Sequence, residues 1–317
     1  MTRRHLLGAV GACALIAHSS NGLRADEIQL DGIIVTTSKV AESAIDALSG
    51  SSSIGKEQID QQFQAARVGD FLDSMPGVVT QENNTDTAQA INVRGLQDFG
   101  RVNVLIEGAR QNFQRSGHNA NGVFYIEPEM IKRVDVTRGP TSVVYGSGAI
   151  GGVVAFELLD ADDILREGEY AAVRSRTSYG TNGDDRLGSG TAAMRVGNFD
   201  IVAQANFRES NDYKDGDGNT VRNTGEENQA NLVKARWRPA EGHQFTGSLV
   251  DYNSEFVDQT GTVTRDTEVQ NNQYTLGYTF ARPDTPLINF SAKVYRNETD
   301  LDQIGRASCR ERVSLNV

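Results

Sequence analysis

The amino-acid sequence predicts an α+β domain followed by an incomplete antiparallel transmembrane β-barrel, of which about seven strands are present. Three observations support this fold class. Residues 38–160 mix helical and strand-like patterns, residues from Gly168 onward form segments in which apolar and polar side chains alternate, and the connections between those segments alternate in length. Alternation with a period of two is typical of strands whose two faces meet different surroundings.

The chain begins with a segment typical of an export signal. Arg3 and Arg4 precede the apolar run LLGAVGACALIA, which is too short for a membrane-spanning helix and has the length of a signal-peptide core. Ala25 offers a cleavage point, so residues 1–25 are predicted to be a signal peptide. The alternative is a lipoprotein signal ending at Cys13, but the apolar run continues past that cysteine.

Residues 26–37 are predicted to be a leader that ends in a β-prone run, IIVTT, at Ile33, Ile34, Val35, Thr36 and Thr37. An extended segment near the start of an exported protein can add as a strand to the edge of a partner's sheet. An ordinary first strand of the following domain is the alternative.

Residues 38–160 are predicted to form the α+β domain. Val68, Phe71, Leu72 and Met75 recur at helical spacing, which predicts a helix over Arg67–Val78 that Pro76 and Gly77 terminate. A second short helix is predicted over Gly55–Gln62. The predicted strands are Ala90–Gly95, Arg101–Gly108, Ile131–Gly139 and Gly151–Leu158.

The run GSGAIG, at Gly146–Gly151, matches the glycine spacing of a dinucleotide-binding loop. That function requires a helix directly after the glycines, because the helix N-terminus faces the phosphates. The following residues, GVVAF, are poor helix formers and favour a strand. The dinucleotide interpretation is therefore disfavoured.

Residues 168–303 are predicted to be the N-terminal part of the β-barrel. In Gln273–Phe280 the side chains of Tyr274, Leu276, Tyr278 and Phe280 share one face, and polar residues or glycine occupy the other. The segment Asn198–Phe207 alternates in the same way. Only alternate residues of a barrel strand face lipid, so the mean hydropathy of −0.44 is compatible with such a barrel.

The connections between these strands are predicted to alternate between short and long. Gly197-Asn198, Pro239–Gly242 and Arg282–Pro286 are short, whereas Ser210–Glu227 and Phe256–Glu268 are long; Thr181–Arg186 is of medium length. Outer-membrane barrels have short periplasmic turns and longer external loops. A soluble sandwich has no reason to sort its loops in this way.

The last residues, 304–317, are predicted to be non-native, because IGRASCRERV matches the translation of a common sequencing adapter. A natural basic tail is the alternative. The two cysteines are Cys13, in the predicted signal, and Cys309, in this tail, so the remaining chain offers no disulfide framework and no thiolate site. The net charge of −11 disfavours a nucleic-acid partner.

Two motifs then relate the chain to a family. INVRG, at Ile91–Gly95, and RVDVTRGPTSVVYGSGAIGGVV, at Arg133–Val154, resemble the plug domain of TonB-dependent outer-membrane receptors. The resemblance implies that residues 38–160 are a plug inside a barrel. It also implies that Ile33–Thr37 is the TonB box, which pairs with the energy-transducing protein TonB.

The segment RQNFQRSGHNANGVFYIEP, at Arg110–Pro128, resembles the plug loop of the haem and haemoglobin receptors in that family. The resemblance implies that His118 is an axial ligand of haem iron, a role suited to neutral imidazole. Arg110 and Arg115 are candidate partners of the haem propionates, and Tyr125 is a weaker candidate iron ligand. The alternatives are a solvated loop histidine, solvated arginines and a packing role for the tyrosine.

The remaining motif residues are predicted to be structural. Arg94 and Arg138 are expected to pair with carboxylates of the barrel wall, because a buried charge needs a partner. Gly95, Gly139, Gly146, Gly148, Gly151 and Gly152 are expected to supply backbone conformations or close approaches that a Cβ would prevent.

The sequence therefore predicts an outer-membrane receptor for energy-dependent uptake of haem, free or from haemoproteins, driven by TonB. The alternative is a TonB-dependent receptor for an iron siderophore or another metal chelate. No enzymatic activity and no permanent cofactor are expected, and haem is the transported ligand. The expected partners are TonB, haem or a haemoprotein, and outer-membrane lipid.

Overall fold

The structure is a computed structural model, and it describes residues 34–35, 41–42, 50–97, 101–115, 122–141, 146–260, 263–282, 289–305 and 310–316. The predicted signal peptide lies outside the described residues, as do Ile33, Thr36 and Thr37 of the predicted leader.

The N-terminal part of the described chain is built from short strands and helical turns. The strands are β1 (Ile34–Val35), β2 (Ala41–Glu42), β3 (Ser51–Gly55), β4 (Val78–Glu82), β5 (Gln89–Val93), β6 (Leu96–Gln97), β7 (Val102–Ile106), β8 (Ala109–Gln111), β9 (Ile131–Arg138) and β10 (Gly152–Leu158). The helical segments are a π-helical turn at Gln58–Phe63, α1 (Gly69–Leu72), and 3₁₀ turns at Pro128–Met130 and Ala161–Asp163. Among the described residues, no helix is long and apolar enough to cross a membrane.

These strands form a mixed sheet in the order β3-β9-β10-β7-β8, a smaller sheet β4-β5-β6, and the pair β1-β2. β10 runs parallel to β7 and antiparallel to β9. The four strands predicted from the sequence of this domain are confirmed as β5, β7, β9 and β10, with ends that differ by at most two residues.

The helix predicted over Arg67–Val78 is much shorter in the structure. The carboxylate of Asp70 accepts hydrogen bonds from the backbone N–H groups of Ala66 (2.8 Å) and Arg67 (2.9 Å), which fixes the segment that leads into α1. Phe71 and Leu72 are fully buried, as the helical spacing predicted. The helix cannot reach Val78 because Gly77 has a φ of +72°, outside the helical region.

Strand β10 follows the GSGAIG run directly, so no helix opens at the glycines. Gly152 has a φ of +149°, and a Cβ at this position would lie 2.3 Å from the carbonyl oxygen of Thr137 on β9. The glycine therefore allows a close approach between two strands. The dinucleotide interpretation is excluded because the phosphate-facing helix is missing from these described residues.

The C-terminal part of the chain is one large antiparallel sheet in which every strand pairs with the next along the chain. Its strands are β11 (Ala171–Tyr179), β12 (Arg186–Val196), β13 (Phe199–Ser210), β14 (Glu226–Trp237), β15 (His243–Thr260), β16 (Val263–Ala281), β17 (Asn289–Gly305) and β18 (Arg310–Asn316). Seven of them begin before the predicted non-native tail, as expected, although β17 extends into its first two residues; β18 lies within it. The sheet is not closed into a barrel within the described residues.

The two faces of this sheet differ in the way the alternation predicted. On β13, Asp200, Gln204 and Arg208 are buried, whereas Phe199 and Phe207 on the opposite face are exposed. An aromatic ladder lies on the exposed face near the short turns, with ring-centroid distances from 4.7 to 6.1 Å, and it contains Trp237, His243, Phe245, Tyr278, Phe280 and Phe290. An apolar outward face bordered by aromatic residues is typical of barrel strands in a membrane.

Most of the predicted connections agree with the structure, but one does not. A two-residue turn at 197–198 and a long loop over 211–225 match the expectation. The loop predicted at Phe256–Glu268 is instead a continuation of β15 and β16, whose pairing runs from Phe256↔Thr267 to Thr260↔Val263. The residues there, including Val257, Thr260 and Val263, are β-prone, so the hairpin extends.

The α+β domain and the large sheet belong to one compact unit. A shared core joins Phe71, Phe124 and Phe156 of the α+β domain to Leu232 and Tyr252 on the inward face of the sheet. Because the inward face is otherwise largely polar, hydrogen bonds and ion pairs complete the contact. The fold class expected from the sequence, a plug domain beside an antiparallel sheet of barrel strands, is thus confirmed.

Candidate functional site

The alternating connections give the sheet two distinct ends. The long loop 211–225 and the extended β15–β16 hairpin lie at one end, here called the long-connection end. The turns at 197–198 and 238–242 lie at the other, the short-turn end. In an antiparallel meander successive connections fall on opposite ends.

The residues on either side of the segment that contains His118 pair with each other at the long-connection end. Gln114 forms an antiparallel bridge with Gly122, and the backbone N–H of Val123 donates to the carbonyl oxygen of Phe113 at 3.2 Å. Phe113–Arg115 and Gly122–Phe124 are called the loop stem below. His118 itself lies outside the described residues, so its predicted role stays a prediction.

Arg115, the last residue of the first stem arm, lies between two buried carboxylates. It forms ion pairs with Asp86 of the plug and with Asp258 on β15, the latter at 3.1 Å. Both aspartates are less than 5% exposed, at 4% and 3%. Burial raises the pKa of Asp86, although the positive charge of Arg115 opposes that shift. The structure thus gives Arg115 protein partners where a propionate partner was predicted.

Tyr125 follows the second stem arm and is 2% exposed. Its ring packs against Phe113, at a centroid distance of 6.4 Å, and against Tyr252 of β15, at 5.9 Å. Burial raises the pKa of its phenol. These contacts correspond to the packing role that the sequence left open for this tyrosine.

Arg110 lies on β8 and is half-buried. A Cβ at Gly146 would lie 3.4 Å from a guanidinium nitrogen of this arginine, so Arg110 faces a different part of the plug from Arg115. Its Nε atom is buried and has no hydrogen-bond partner among the described residues. The structure therefore does not bring the two arginines into one cluster.

The expectation that Arg138 pairs with a carboxylate of the barrel wall is wrong. Its guanidinium donates to the carbonyl oxygens of Pro76 (2.6 Å) and Gly50 (2.9 Å) and to the hydroxyl of Ser52 (2.7 Å), all within the plug. Arg94 lies near this group, since a Cβ at Gly50 would be 3.1 Å from its guanidinium, and no carboxylate pairs with it among the described residues. Backbone oxygens satisfy Arg138 because the chain bends around it.

Ion pairs between plug and sheet mostly have the opposite polarity from the one expected. The plug contributes acids and the inward face of the sheet contributes bases: Arg176 pairs with Asp60 and Glu129, Arg208 with Glu127, Lys234 with Glu107 and Asp160, and Arg236 with Asp162. Arg67 and Arg115 are plug bases that pair with Glu226 and Asp258 of the sheet. Each of these side chains is at most 24% exposed, except that of Asp162, which is 47% exposed. Removing one partner therefore leaves a buried charge without that partner's compensation.

The other predicted structural residues have the following positions. Positive φ angles occur at Arg94, Gly95, Gly139, Gly146, Gly148 and Gly152. A Cβ at Gly151 would lie 2.9 Å from the Cβ of Leu96. Ile34 and Val35 of the predicted TonB box form β1, which pairs with Glu42 and Ala41 of β2.

Sequence reasoning missed Asp86 and Asp258 as parts of this site. Asp86 lies in the polar run NNTDT, and Asp258 lies in a stretch predicted to be a loop. Neither has a motif around it, and only the fold brings the two carboxylates to the same guanidinium. The alternation of β15, correctly extended past Phe256, would have placed Asp258 on the inward face.

An α+β plug is held by ion pairs against the inward face of a meander of barrel strands. Residues 43–153 match the family described as "TonB-dependent Receptor Plug Domain". These residues are therefore a plug domain of the TonB-dependent receptor family.

Within that family the chain is similar to proteins named for haem. It is 29% identical over 263 residues to the "Hemin receptor" of Yersinia pestis, covering 78% of this chain and 37% of that protein. It is 25% identical to the "TonB-dependent heme receptor A" of Haemophilus influenzae strain 86-028NP, covering 93% of this chain and 42% of that protein. The chain therefore spans about two fifths of the length of these relatives.

Among solved structures, the chain is similar to a double mutant of the Serratia marcescens hemophore receptor HasR in complex with its hemophore HasA and heme. The TM-score is 0.77 and the identity is 30%, over 82% of this chain and 39% of that one.

Proposed function

We propose that this chain is part of an outer-membrane receptor that imports haem, free or from a haemoprotein, with energy supplied by TonB. One observation carries the proposal: similarity to the Yersinia pestis hemin receptor extends over 263 residues, more than twice the 111 residues (43–153) of the plug match. The resemblance therefore includes barrel strands as well as the plug. No catalytic reaction is assigned to the chain.

In this proposal haem binds at the long-connection end, where the loop stem presents His118. A neutral imidazole supplies an axial ligand to the iron. Arg110 remains a candidate for a propionate, because its Nε atom has no partner among the described residues. Haem is the cargo here and not a resident cofactor.

The proposed energy source acts through Ile33–Thr37. β1 has β2 on one side only, so its other edge is free among the described residues and suits strand addition by TonB. Pulling on this segment would act through β2 on β3, the strand at the edge of the plug sheet. The proposed boundaries of the chain are those predicted from the sequence: signal 1–25, leader 26–37, plug 38–160, barrel strands 168–303 and non-native tail 304–317.

The outward face of the sheet supports a place in the outer membrane. Val173, Leu276 and Val294 are between 65% and 82% exposed on the face of the sheet that points away from the plug. Apolar side chains exposed at this level are favourable only against lipid or another apolar surface.

The test of the proposal uses His118→Ala in the receptor expressed from its complete reading frame. The host is an iron-starved Gram-negative strain that lacks haem receptors of its own, with haem as the only iron source. We expect the unaltered receptor to support growth and to give a haem Soret band, and the variant to lose most of both. His243→Ala is the matched control. That histidine lies on the outward face at the short-turn end, away from the loop stem, and its Nδ1 atom is 2.9 Å from the hydroxyl oxygen of Tyr278.

The alternative is a receptor for an iron siderophore or another chelate, which uses the same plug architecture. Growth on haem that is unchanged in His118→Ala, together with an unchanged Soret band, would favour it. A ferric siderophore that restores growth when haem does not would establish it.

A further inference from the structure

Three residues join the loop stem to both the plug and the sheet. Arg115 of the stem, Asp86 of the plug and Asp258 of β15 are called the apical clamp below. One guanidinium bridges two carboxylates that come from segments 29 and 143 residues away along the chain. Neither aspartate is more than 4% exposed, so water does not replace the guanidinium as their partner.

The clamp lies within a wider contact between plug and hairpin. The backbone N–H of Gln259, next to Asp258, donates to the hydroxyl of Thr85, next to Asp86, at 3.1 Å. Arg265, from the other arm of the hairpin, approaches Asp258 at 3.5 Å. The hairpin arms β15 and β16 thus hold the plug at the same place where the loop stem emerges.

The guanidinium of Arg115 is already used by these contacts. Two of its nitrogens point to different carboxylates, and its side chain is 19% exposed. A propionate that took over either of these contacts would displace a buried aspartate and weaken the compensation of its charge. A contact between Arg115 and a propionate would therefore weaken existing ion pairs, whereas the contacts of Arg115 with Asp86 and Asp258, which fix the stem, are already present.

We propose that Arg115 is a positioning residue: the apical clamp fixes the loop stem to the β15–β16 hairpin, so ligand affinity depends on Asp258 as much as on Arg115. This proposal rests on the proposed function, because the ligand is taken to be haem. Arg115 acts through the stem and does not touch the propionates. The hairpin therefore contributes to ligand binding without contacting the ligand at this point.

The first experiment compares two ligands that differ only in the propionates: haem and the dimethyl ester of haem. Affinities are measured by Soret titration of the complete receptor for the unaltered protein and for Arg115→Gln and Asp258→Ala. We expect both variants to lose affinity for both ligands by the same factor, about tenfold or more, because either change breaks a buried ion pair. Glu255→Gln is the matched control, since it removes one carboxylate from the same strand at an exposed position outside the clamp.

Two results would overturn the proposal. A loss in Arg115→Gln for haem but not for the dimethyl ester would mean that Arg115 contacts a propionate. An Asp258→Ala variant that binds haem as well as Glu255→Gln does, or more tightly because the arginine has been freed, would mean that the clamp does not act on the ligand.

A second measurement separates the clamp from the haem proposal. Hydrogen exchange of the Val123 amide in the ligand-free receptor reports the stem directly, because this amide donates to Phe113 across the stem. We expect exchange about tenfold faster or more in Arg115→Gln and Asp258→Ala than in Glu255→Gln. If the receptor binds no haem but the exchange rises as expected, the proposed ligand is wrong and the clamp stands; unchanged exchange refutes the clamp whatever the ligand.

Discussion

The buried pair between Glu127 and Arg208 offers the sharpest test of how the plug is held. Glu127 follows the loop stem and is 3% exposed, and Arg208 on β13 is 4% exposed. Two nitrogens of the guanidinium face the two carboxylate oxygens, at 3.1 and 3.5 Å. The perturbation is Arg208→Met, which keeps most of the side-chain volume and removes the charge.

The expected cost follows from the isolation of Glu127 in the variant. Removing one partner of a buried ion pair costs about 3–5 kcal/mol, because the other charge stays buried without compensation. Replacing both partners, in Glu127→Gln with Arg208→Met, removes both charges of this pair and should cost about 1–2 kcal/mol at most. The two changes should therefore couple by roughly 2 kcal/mol or more.

The assay is a double-mutant cycle on the complete receptor in detergent, with thermal unfolding followed by calorimetry. Arg296→Met is the control, because its ion pair with Glu298 lies on the outward face with a side chain that is 65% exposed, and it should cost under about 0.5 kcal/mol. Two results together would refute the argument that the plug depends on buried charge pairing: the costs of Glu127→Gln and Arg208→Met add in the double variant, and Arg208→Met costs no more than Arg296→Met.

The same variant has an expected pH dependence. Burial raises the pKa of Glu127 in the native protein even with Arg208 opposing it, and loss of Arg208 should raise it further. A carboxyl whose native pKa is raised holds its proton more tightly when folded, so stability is lost as pH rises through that pKa. The destabilisation by Arg208→Met should therefore shrink in acid and grow toward neutral pH; a difference that is constant with pH would contradict this.

Three further predictions test other parts of the structure. Gly152→Ala should lower stability by about 1–3 kcal/mol or more, because the new Cβ meets Thr137 in a strained conformation, whereas Gly188→Ala, with open space around it, should not; thermal unfolding compares them. Leu276→Lys should destabilise the receptor in lipid vesicles, lowering its free energy of unfolding by about 2 kcal/mol, and an unchanged value would mean that this face does not meet lipid. Burial raises the pKa of Asp160, but the nearby cations outweigh burial and hold this pKa below its usual value. The stabilisation that the Asp160 carboxylate provides should therefore be lost as pH falls through the lowered pKa, and Asp160→Asn should remove this acid sensitivity.

Much of the fold followed from local patterns in the sequence. The alternation of β13 and β16 predicted which residues face the plug, because successive side chains of a strand point to opposite faces. Glycine and β-branched residues after Gly151 predicted a strand in place of a phosphate-binding helix. The ends of α1 and of the β15–β16 hairpin were predicted wrongly, since element boundaries depend on contacts outside the local segment.

The candidate site was less accessible to sequence reasoning. The family resemblance pointed to the segment around His118 and to Arg115, but it gave Arg115 a propionate as partner. The structure gives it Asp86 and Asp258 instead, because folding brings the plug and β15 to the same guanidinium. Arg138 likewise binds oxygens of its own domain and no barrel carboxylate.

The sequence by itself determined the two parts of this protein and the faces of its strands, because hydrophobic periodicity and glycine placement act over a few neighbouring residues. The family was indicated by the resemblance of its motifs and not by these patterns. Only the tertiary structure decided which charges meet. Ion pairs such as Lys234 with Glu107 join residues 127 positions apart, and their partners are set by how the sheet wraps the plug. Charge pairing has no sequence period, so its pattern, acids on the plug and bases on the wall, appears only once the chain is folded.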